Sequence, residues 1–184
     1  ELDVKKFYEN FNKIDLLVNN AGIGVFTPTL KRTAKEFLDV MSVNLLGTFL
    51  MSQGALKIMK KNKFGKIINI ASIYGMKSSD EKIYGKSGRN NSEVYSATKA
   101  GIIMMTKYLA SHFASSNIQI NCISPGGIFK KHDKEFVKKY SLKTPTGRMA
   151  KTSDIQAVFK MLISSDSNYI NGVNIPVDGG LTTW

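Results

Sequence analysis

The stretch that decides the fold is SEVYSATKAGIIMMTKYLASHF, residues 92–113. It predicts a helix opened by a capping box, in which the Ser92 hydroxyl accepts a backbone N–H of the first turn. Tyr95 and Lys99 lie four residues apart, so such a helix brings both side chains to one face. A free phenol has a pKa of about 10, and a neighbouring ammonium favours the phenolate. The pair therefore predicts that Tyr95 exchanges a proton near neutral pH, as carbonyl reduction or alcohol oxidation requires.

The same pair has a simpler interpretation in a chain rich in lysine. A Tyr/Lys pair on a helix is usually part of a solvated amphipathic edge. Of the seven tyrosines, however, only Tyr95 has a lysine four residues later. Whether the pair is catalytic or part of a solvated edge therefore depends on the other segments of the chain.

Length and cysteine content limit the class of protein. With 184 residues the chain is long enough for one domain with a substantial core, spanning 1–184. Cys122 is the only cysteine, so no internal disulfide forms and a reducing cytoplasm is expected. No apolar run approaches the roughly 20 residues of a membrane-spanning helix, so no membrane partner is expected. The chain opens at Glu1 and not at Met, which leaves targeting open.

The net charge of +12 raises the question of nucleic-acid binding. The basic residues are almost all lysine and are spread along the chain, whereas base-specific readers rely on arginine. No zinc-ligand spacing or helix-turn-helix signature is present. We therefore expect neither a nucleic-acid partner nor a bound metal.

Strand and helix patterns alternate along the whole chain. Short apolar runs, typical of strands buried in a parallel sheet, occupy residues 14–18, 66–71, 118–123 and 174–177. Helical patterns occupy residues 1–12, 33–59, 92–113, 133–140 and 153–163, with Ser153 or Asp154 as the cap of the last one. This alternation predicts an α/β fold with a parallel sheet.

Polar or small residues follow the first three strands, at the edge where open α/β sheets bind ligands. They are Asn19-Asn20-Ala21-Gly22, Ser72, and Ser124-Pro125-Gly126-Gly127. An ordinary Asn-Gly turn explains the first of them equally well. The polar segment 73–91 is predicted to be a long surface loop that carries substrate contacts.

Asn44 lies in the middle of the predicted helix 33–59, between Val43 and Leu45. Asparagine is a poor residue for a helix interior, and a buried amide needs hydrogen-bond partners. It is either a polar residue on a half-exposed face, or an amide that bends the helix and holds a water at the site.

Five separated segments together resemble the short-chain dehydrogenase/reductase family. They are NNAG at 19–22, Val43-Asn44-Leu45-x-Gly47, Ser72 at a strand end, Tyr95-x-x-x-Lys99, and Pro125-Gly126 with VDGG at 177–180. The resemblance covers the whole chain. It implies a Rossmann-like, doubly wound parallel sheet and an NAD- or NADP-dependent oxidoreductase that interconverts a carbonyl and an alcohol of a small-molecule substrate.

The resemblance also implies a role for each matching residue. Tyr95 is the general acid/base, Lys99 lowers its pKa and binds the nicotinamide ribose, and Ser72 holds the substrate oxygen. Asn44 anchors a water of the proton relay. The implied cofactor contacts are Asn19, Ala21, Gly22, Tyr95, Lys99, Pro125, Gly126 and Ile128. The implied substrate contacts are Ser72, Tyr74 and Tyr84.

The family's glycine-rich turn and first strands are absent from these residues, which correspond to the C-terminal two-thirds of the family fold. The residues that select NAD or NADP are absent with them. Because strand 14–18 then forms an unpaired apolar edge, we expect the 184 residues alone to bind dinucleotide weakly and to be poorly soluble. The alternative is a catalytically inactive module that serves as a binding or structural subunit.

Segment 73–91 is longer than is usual in the family. Its basic residues either meet an anionic substrate, such as a sugar phosphate or nucleotide sugar, or are solvated; they are Lys77, Lys82, Lys86 and Arg89. The pattern SIYG, IYG and EVYSATKAGII resembles the family members found with bacterial flagellin-glycan and nonulosonic-acid pathways. This implies a sugar substrate and a part in flagellin modification. The family resemblance further implies a homodimer or homotetramer joined through the apolar runs 45–51 and 102–105.

Overall fold

A computed structural model of the chain describes residues 2–85 and 90–184. Lys86 and Arg89 lie outside the described residues. The helices are α1 (Leu2–Tyr8), α2 (Ala34–Met41), α3 (Gly47–Asn62), α4 (Glu93–Phe113), α5 (Lys134–Lys143) and α6 (Thr152–Ile163). The strands are β1 (Leu16–Asn19), β2 (Gly65–Ile70), β3 (Ile118–Pro125) and β4 (Asn174–Val177).

The four strands form one parallel sheet in the order β1-β2-β3-β4. Neighbouring residues of β2 point to opposite faces, so Ile67 packs with α3 and α4 while Ile68 packs with α6. Helices therefore cover both faces, which confirms the predicted α/β, doubly wound architecture. No helix within residues 2–85 and 90–184 is long and apolar enough to cross a bilayer.

Strand β1 differs from the prediction in its bounds and its burial. It runs over Leu16–Asn19 and not over residues 14–18, and within residues 2–85 and 90–184 it pairs with β2 alone. Leu16 and Val18 each keep 37% of their surface exposed, so the strand is not buried on both faces. The predicted apolar edge is present, because β1 ends the strand order among the described residues.

The predicted helix 33–59 is two helices joined by a π-helical turn. At its start the predicted capping box is present: the Thr33 hydroxyl accepts the Glu36 N–H, and the Glu36 carboxylate accepts the Thr33 N–H. The turn at Ser42–Leu46 is wider, since the Gly47 N–H bonds the Ser42 carbonyl five residues back. Helix α3 then continues to Asn62, three residues beyond the predicted end.

Two predicted caps need correction. The Ser92 hydroxyl accepts the Tyr95 N–H at 3.2 Å, but Tyr95 has no carboxylate to return the bond, so α4 has a simple cap and no capping box. Helix α6 begins at Thr152, behind Lys151, and not behind Ser153 or Asp154. The Asp154 carboxylate instead reaches back to the Lys151 N–H at 2.7 Å.

Segment 73–91 is only partly the surface loop that its polarity predicts. Ile73 and Ile83 are 1% and 3% exposed, and each begins or ends a short 3₁₀ turn. They pack with Tyr140 of α5, Met149 and Leu181 in a core cluster of their own. Residues 73–85 of the segment therefore belong to the body of the protein, and the two isoleucines join them to α5.

Candidate active site

The parallel sheet brings the predicted site segments to one edge. Asn19 ends β1, Ser72 follows β2 by two residues, and Pro125 and Val177 end β3 and β4 in register with each other. Because all four strands run in one direction, their carboxyl ends meet at the same edge. The N-terminal half of α4 lies against this edge and supplies the remaining site side chains.

Tyr95, Lys99 and Ser72 meet at this edge. The Lys99 ammonium lies 5.5 Å from the centroid of the Tyr95 ring and donates a 2.8 Å hydrogen bond to the carbonyl of Ile70. Lys99 is only 3% exposed, which excludes the solvated amphipathic edge. On the other side, the Ser72 hydroxyl accepts the Tyr74 N–H at 3.2 Å and lies close enough to the Tyr95 phenol to lower its pKa. The phenol therefore lies between a hydroxyl and an ammonium.

The predicted direction of the Tyr95 pKa shift is wrong for this structure. Burial raises the pKa of the phenol above its usual value, while the hydrogen bond with Ser72 lowers it and the nearby Tyr84 raises it further. Burial likewise lowers the pKa of the Lys99 ammonium. The ammonium lies over the ring face and donates to the Ile70 carbonyl, and burial is the largest influence on the pKa of the phenol.

The Asn44 side chain is fully buried, so it is not a polar residue on a half-exposed face. Its Oδ1 accepts the Ile23 N–H at 2.8 Å, and its Nδ2 donates to the Ile23 carbonyl at 3.0 Å and to the Thr98 hydroxyl at 3.1 Å. One amide thereby joins the π-helical turn, the loop after β1 and helix α4. A side chain that both donates and accepts is required at this position.

The loop after β1 passes close to the reactive side chains. A β-carbon on Gly22 would lie 3.5 Å from both Asn44 Oδ1 and Lys99 Nζ, and one on Gly24 would lie 3.9 Å from the Tyr95 ring. Ala21 and Gly22 are both exposed. Their backbone is therefore open to a ligand lying beside Lys99, which fits a dinucleotide whose nicotinamide end reaches Tyr95.

The side chain of Asn19 does not face this cleft. Its Nδ2 donates to Asn69 Oδ1 at 2.8 Å and to Ser52 Oγ at 3.0 Å. Asn69 in turn donates to the Thr106 hydroxyl at 2.8 Å, so a buried polar chain crosses from β1 to α4. The amide of Asn19 is thus used inside the protein, and any contact with a cofactor is left to its backbone.

The turn after β3 is held from two sides. The Gly126 N–H bonds the carbonyl of Val177 at 3.0 Å, and Ile128 forms a β-bridge with Ala150. Pro125, Gly126 and Ile128 are all half-buried at the same sheet edge. This position is compatible with the predicted contact to the nicotinamide.

Tyr74 and Tyr84 lie together, with their hydroxyls 3.2 Å apart. Burial is the main cause of a large upward shift in the pKa of Tyr74, so its phenol stays protonated. Tyr84 is among the groups that raise the pKa of Tyr95, so the pair lies near the reactive phenol. Phe136 of α5 packs on Tyr84, with ring centroids 5.4 Å apart.

The structure gives Lys77 a different role from the anion contact considered above. Its ammonium donates to the carbonyls of Leu181 at 3.2 Å and Trp184 at 2.7 Å. Lys82 is exposed. Lys77 therefore joins segment 73–91 to the last residues of the described chain.

Comparison with known proteins decides the family. A family model described as enoyl-(acyl carrier protein) reductase matches residues 3–182. A short-chain dehydrogenase from Leptospira borgpetersenii, crystallised with bound NAD⁺, is 48% identical, with a TM-score of 0.91 over 98% of this chain and 70% of that one. The chain belongs to the short-chain dehydrogenase/reductase family.

Two other family members extend the comparison. The 3-oxoacyl-(acyl-carrier-protein) reductase of Thermotoga maritima is 35% identical over 182 residues, which cover 97% of this chain and 70% of the relative. The gluconate 5-dehydrogenase of Burkholderia cenocepacia, solved with NADP and tartrate, is 30% identical, with a TM-score of 0.90 over 100% of this chain and 72% of that one. The predicted class, an NAD(P)-dependent short-chain dehydrogenase/reductase, is thereby confirmed.

Several residues that build this family site escaped the sequence analysis. The buried polar chains are held together by Thr98, Asn69 and Thr106. Gly75 lets the turn after Ser72 approach α4. Tyr140 contacts the turn after β3. One signal was available: Asn69 interrupts an apolar strand and Thr106 an apolar helix face. Tyr140 had none, because only the tertiary fold brings it to Gly127.

Proposed function

We propose that this chain carries the catalytic part of an NAD(P)-dependent oxidoreductase that interconverts a carbonyl and an alcohol. The observation that carries the proposal is the buried Tyr95 phenol between the Ser72 hydroxyl and the Lys99 ammonium, beside the open backbone of Gly22. We treat residues 1–184 as one domain that forms the C-terminal two-thirds of the family fold. A catalytically inactive binding subunit would not need these side chains together.

In this proposal Tyr95 donates its proton to the substrate oxygen during reduction and recovers it during oxidation. The Ser72 hydroxyl hydrogen-bonds the same oxygen and fixes its position. The nicotinamide supplies or accepts the hydride when the cofactor is bound. Lys99 binds the nicotinamide ribose, and its bond to the Ile70 carbonyl fixes the ammonium in place.

The remaining predicted roles stay with this proposal. The backbone of Asn19, Ala21 and Gly22 lies along the cofactor, and Pro125, Gly126 and Ile128 border the nicotinamide. The water of the proton relay, which the resemblance assigns to Asn44, must be held by main-chain atoms of Asn44, because the side-chain amide already bonds Ile23 and Thr98.

We propose a sugar or sugar derivative as the substrate. The paired hydroxyls of Tyr74 and Tyr84 support this choice, since they offer hydrogen-bond donors and acceptors to a polyol near Tyr95. The relative that was solved with tartrate is named a gluconate dehydrogenase, which also favours a polyhydroxy substrate. We further propose that this sugar belongs to flagellin-glycan or nonulosonic-acid pathways, on the basis of the sequence pattern around Tyr74, Tyr84 and Tyr95. The rival substrate class is an acyl thioester, which the Thermotoga maritima relative suggests.

The substrate class can be tested with the complete protein that contains this chain. NADH and NADPH oxidation would be followed against keto sugars, their phosphates, nucleotide-linked keto sugars and 3-oxoacyl thioesters. We expect turnover of at least one sugar and little turnover of the thioesters. Turnover of thioesters alone would reject the sugar proposal. Lack of turnover on every carbonyl, together with cofactor binding, would favour the inactive module.

We also propose that the protein is a homodimer or homotetramer joined through its long helices. The outward faces of the π-helical turn, α3 and α4 carry large apolar side chains with 40–63% of their surface exposed: Leu46, Phe49, Met104 and Tyr108. Such a patch indicates an interaction surface. Sedimentation of the complete protein is expected to give two or four chains, and a monomer at micromolar concentration would contradict this proposal.

A further inference from the structure

Tyr140 of α5 lies against the turn after β3, although it follows Pro125 by fifteen positions in the sequence. It is 3% exposed, and its hydroxyl oxygen accepts the backbone N–H of Gly127. The ring lies so close that a β-carbon on Gly127 would be 2.8 Å from its Cζ atom. Any larger residue at position 127 would therefore displace the Tyr140 ring.

The neighbouring Gly126 is enclosed in the same way. A β-carbon there would lie 3.0 Å from the Asp178 Cα and 3.2 Å from the Tyr140 hydroxyl. The turn is thus held between the end of β4 on one side and a single phenol on the other. Within residues 2–85 and 90–184, the Tyr140 phenol makes the only side-chain hydrogen bond to this turn.

Helix α5 is itself joined to segment 73–91, which carries the proposed substrate contacts. Its Lys143 forms an ion pair with Asp80, and its Phe136 packs on Tyr84. Tyr140 also packs in one core cluster with Ile73 and Ile83. The hydroxyl of Tyr140 is therefore the point where the substrate-side segment meets the turn proposed to border the nicotinamide.

We propose that Tyr140 is a positioning residue that sets the place of the nicotinamide by holding the Gly127 N–H. This inference rests on the proposed function, because it requires that the turn borders the nicotinamide. Without the hydroxyl, the half-buried Gly127 N–H loses its partner and the turn shifts to find another one. The nicotinamide end of the cofactor then loses its fixed position, whereas the adenine end is unaffected.

The test compares Tyr140→Phe with the wild type in the complete protein. The dissociation constants of NAD(P)H and of ADP-ribose, which lacks the nicotinamide, are measured by calorimetry. We expect NAD(P)H to bind roughly tenfold more weakly and ADP-ribose to bind within about twofold of the wild type, since the loss of one hydrogen bond that fixes the turn corresponds to such a change. The kcat for carbonyl reduction is expected to fall as well.

Tyr8→Phe is the matched control. Tyr8 is 9% exposed, and its hydroxyl bonds the carbonyl of Met51 at 2.8 Å in α3. Its loss also removes one phenol-to-backbone bond, so it should lower thermal stability without changing either dissociation constant.

Three results would overturn the inference about Tyr140. They are equal weakening of NAD(P)H and ADP-ribose, no weakening of either, and the same selective loss in Tyr8→Phe. If the wild-type protein itself binds no NAD(P)H, the proposed function fails, and the inference fails with it. If the wild type binds NAD(P)H normally and one of the three results is obtained, only the inference about Tyr140 fails.

Discussion

Replacing Tyr95 by phenylalanine is expected to lower kcat of the complete enzyme by roughly 10²- to 10⁴-fold, the usual contribution of a positioned general acid/base. The ring still fills its place between Ser72 and Lys99, so the fold is retained. The dissociation constant of NAD(P)H should change by less than about threefold, because the proposed cofactor contacts of Lys99 and Gly22 remain. Steady-state kinetics and calorimetry together measure both effects.

The pH dependence gives a second measurement on the same variant. Because burial raises the pKa of the Tyr95 phenol, the proton stays bound through the neutral range. Alcohol oxidation needs the deprotonated phenol, so its kcat/KM should rise with pH up to the raised pKa. Carbonyl reduction needs the proton, so its kcat/KM should fall only above that pKa. Both dependences should vanish in Tyr95→Phe.

Tyr169→Phe is a suitable control, since Tyr169 is fully exposed. It should leave kcat and both pH profiles unchanged. Turnover of Tyr95→Phe within tenfold of the wild type would show that the proton comes from another group.

Gly75→Ala should impair both stability and turnover. A β-carbon on Gly75 would lie 2.7 Å from the Lys99 carbonyl carbon and 2.9 Å from the Ala100 nitrogen. These are backbone atoms of α4 and cannot turn aside, so the 3₁₀ turn Ile73–Gly75 must move away from the helix. Overpacking of this kind costs about 1–3 kcal/mol of unfolding free energy. Denaturant unfolding measures this loss.

The same shift moves Ser72, the residue that opens the turn, away from the Tyr95 phenol. Because small errors in position are costly at a reacting centre, we expect kcat to fall roughly 10- to 10²-fold. Gly47→Ala is the control: its β-carbon meets only the Ser42 carbonyl at 3.5 Å, an ordinary contact. If both variants unfold and turn over like the wild type, the close approach at Gly75 does not position Ser72.

The sequence predicted the sheet well because its strands are short apolar runs followed by turn-forming residues. Helical spacing also predicted Tyr95 and Lys99 on one face, and the resemblance to the family added Ser72 at a strand end. The apolar run alone predicted that β1 is buried on both faces, whereas the second prediction, of an unpaired apolar edge, agrees with the exposed Leu16 and Val18 among the described residues. The isoleucines of segment 73–91 escaped notice because Ile73 and Ile83 follow no helical or strand period.

The Tyr95 pKa shows a different limit. Spacing alone placed an ammonium near the phenol, but the sign of the shift depends on how far water is excluded from both groups. Burial is a property of the whole fold, and four residues of helix do not encode it. Tyr140 was missed for a related reason, since its partner Gly127 is brought to it only by the path of the chain between β3 and α5.

The fixed amide of Asn44 has a consequence for redesign. Three separate stretches of backbone depend on one small side chain, and leucine, aspartate and glutamine each lack its combination of size, donor and acceptor. Attempts to widen substrate range should therefore leave the π-helical turn untouched. The ring contact between Tyr84 and Phe136 is the better target, because exchanging these side chains leaves Ser72, Tyr95 and Lys99 in place.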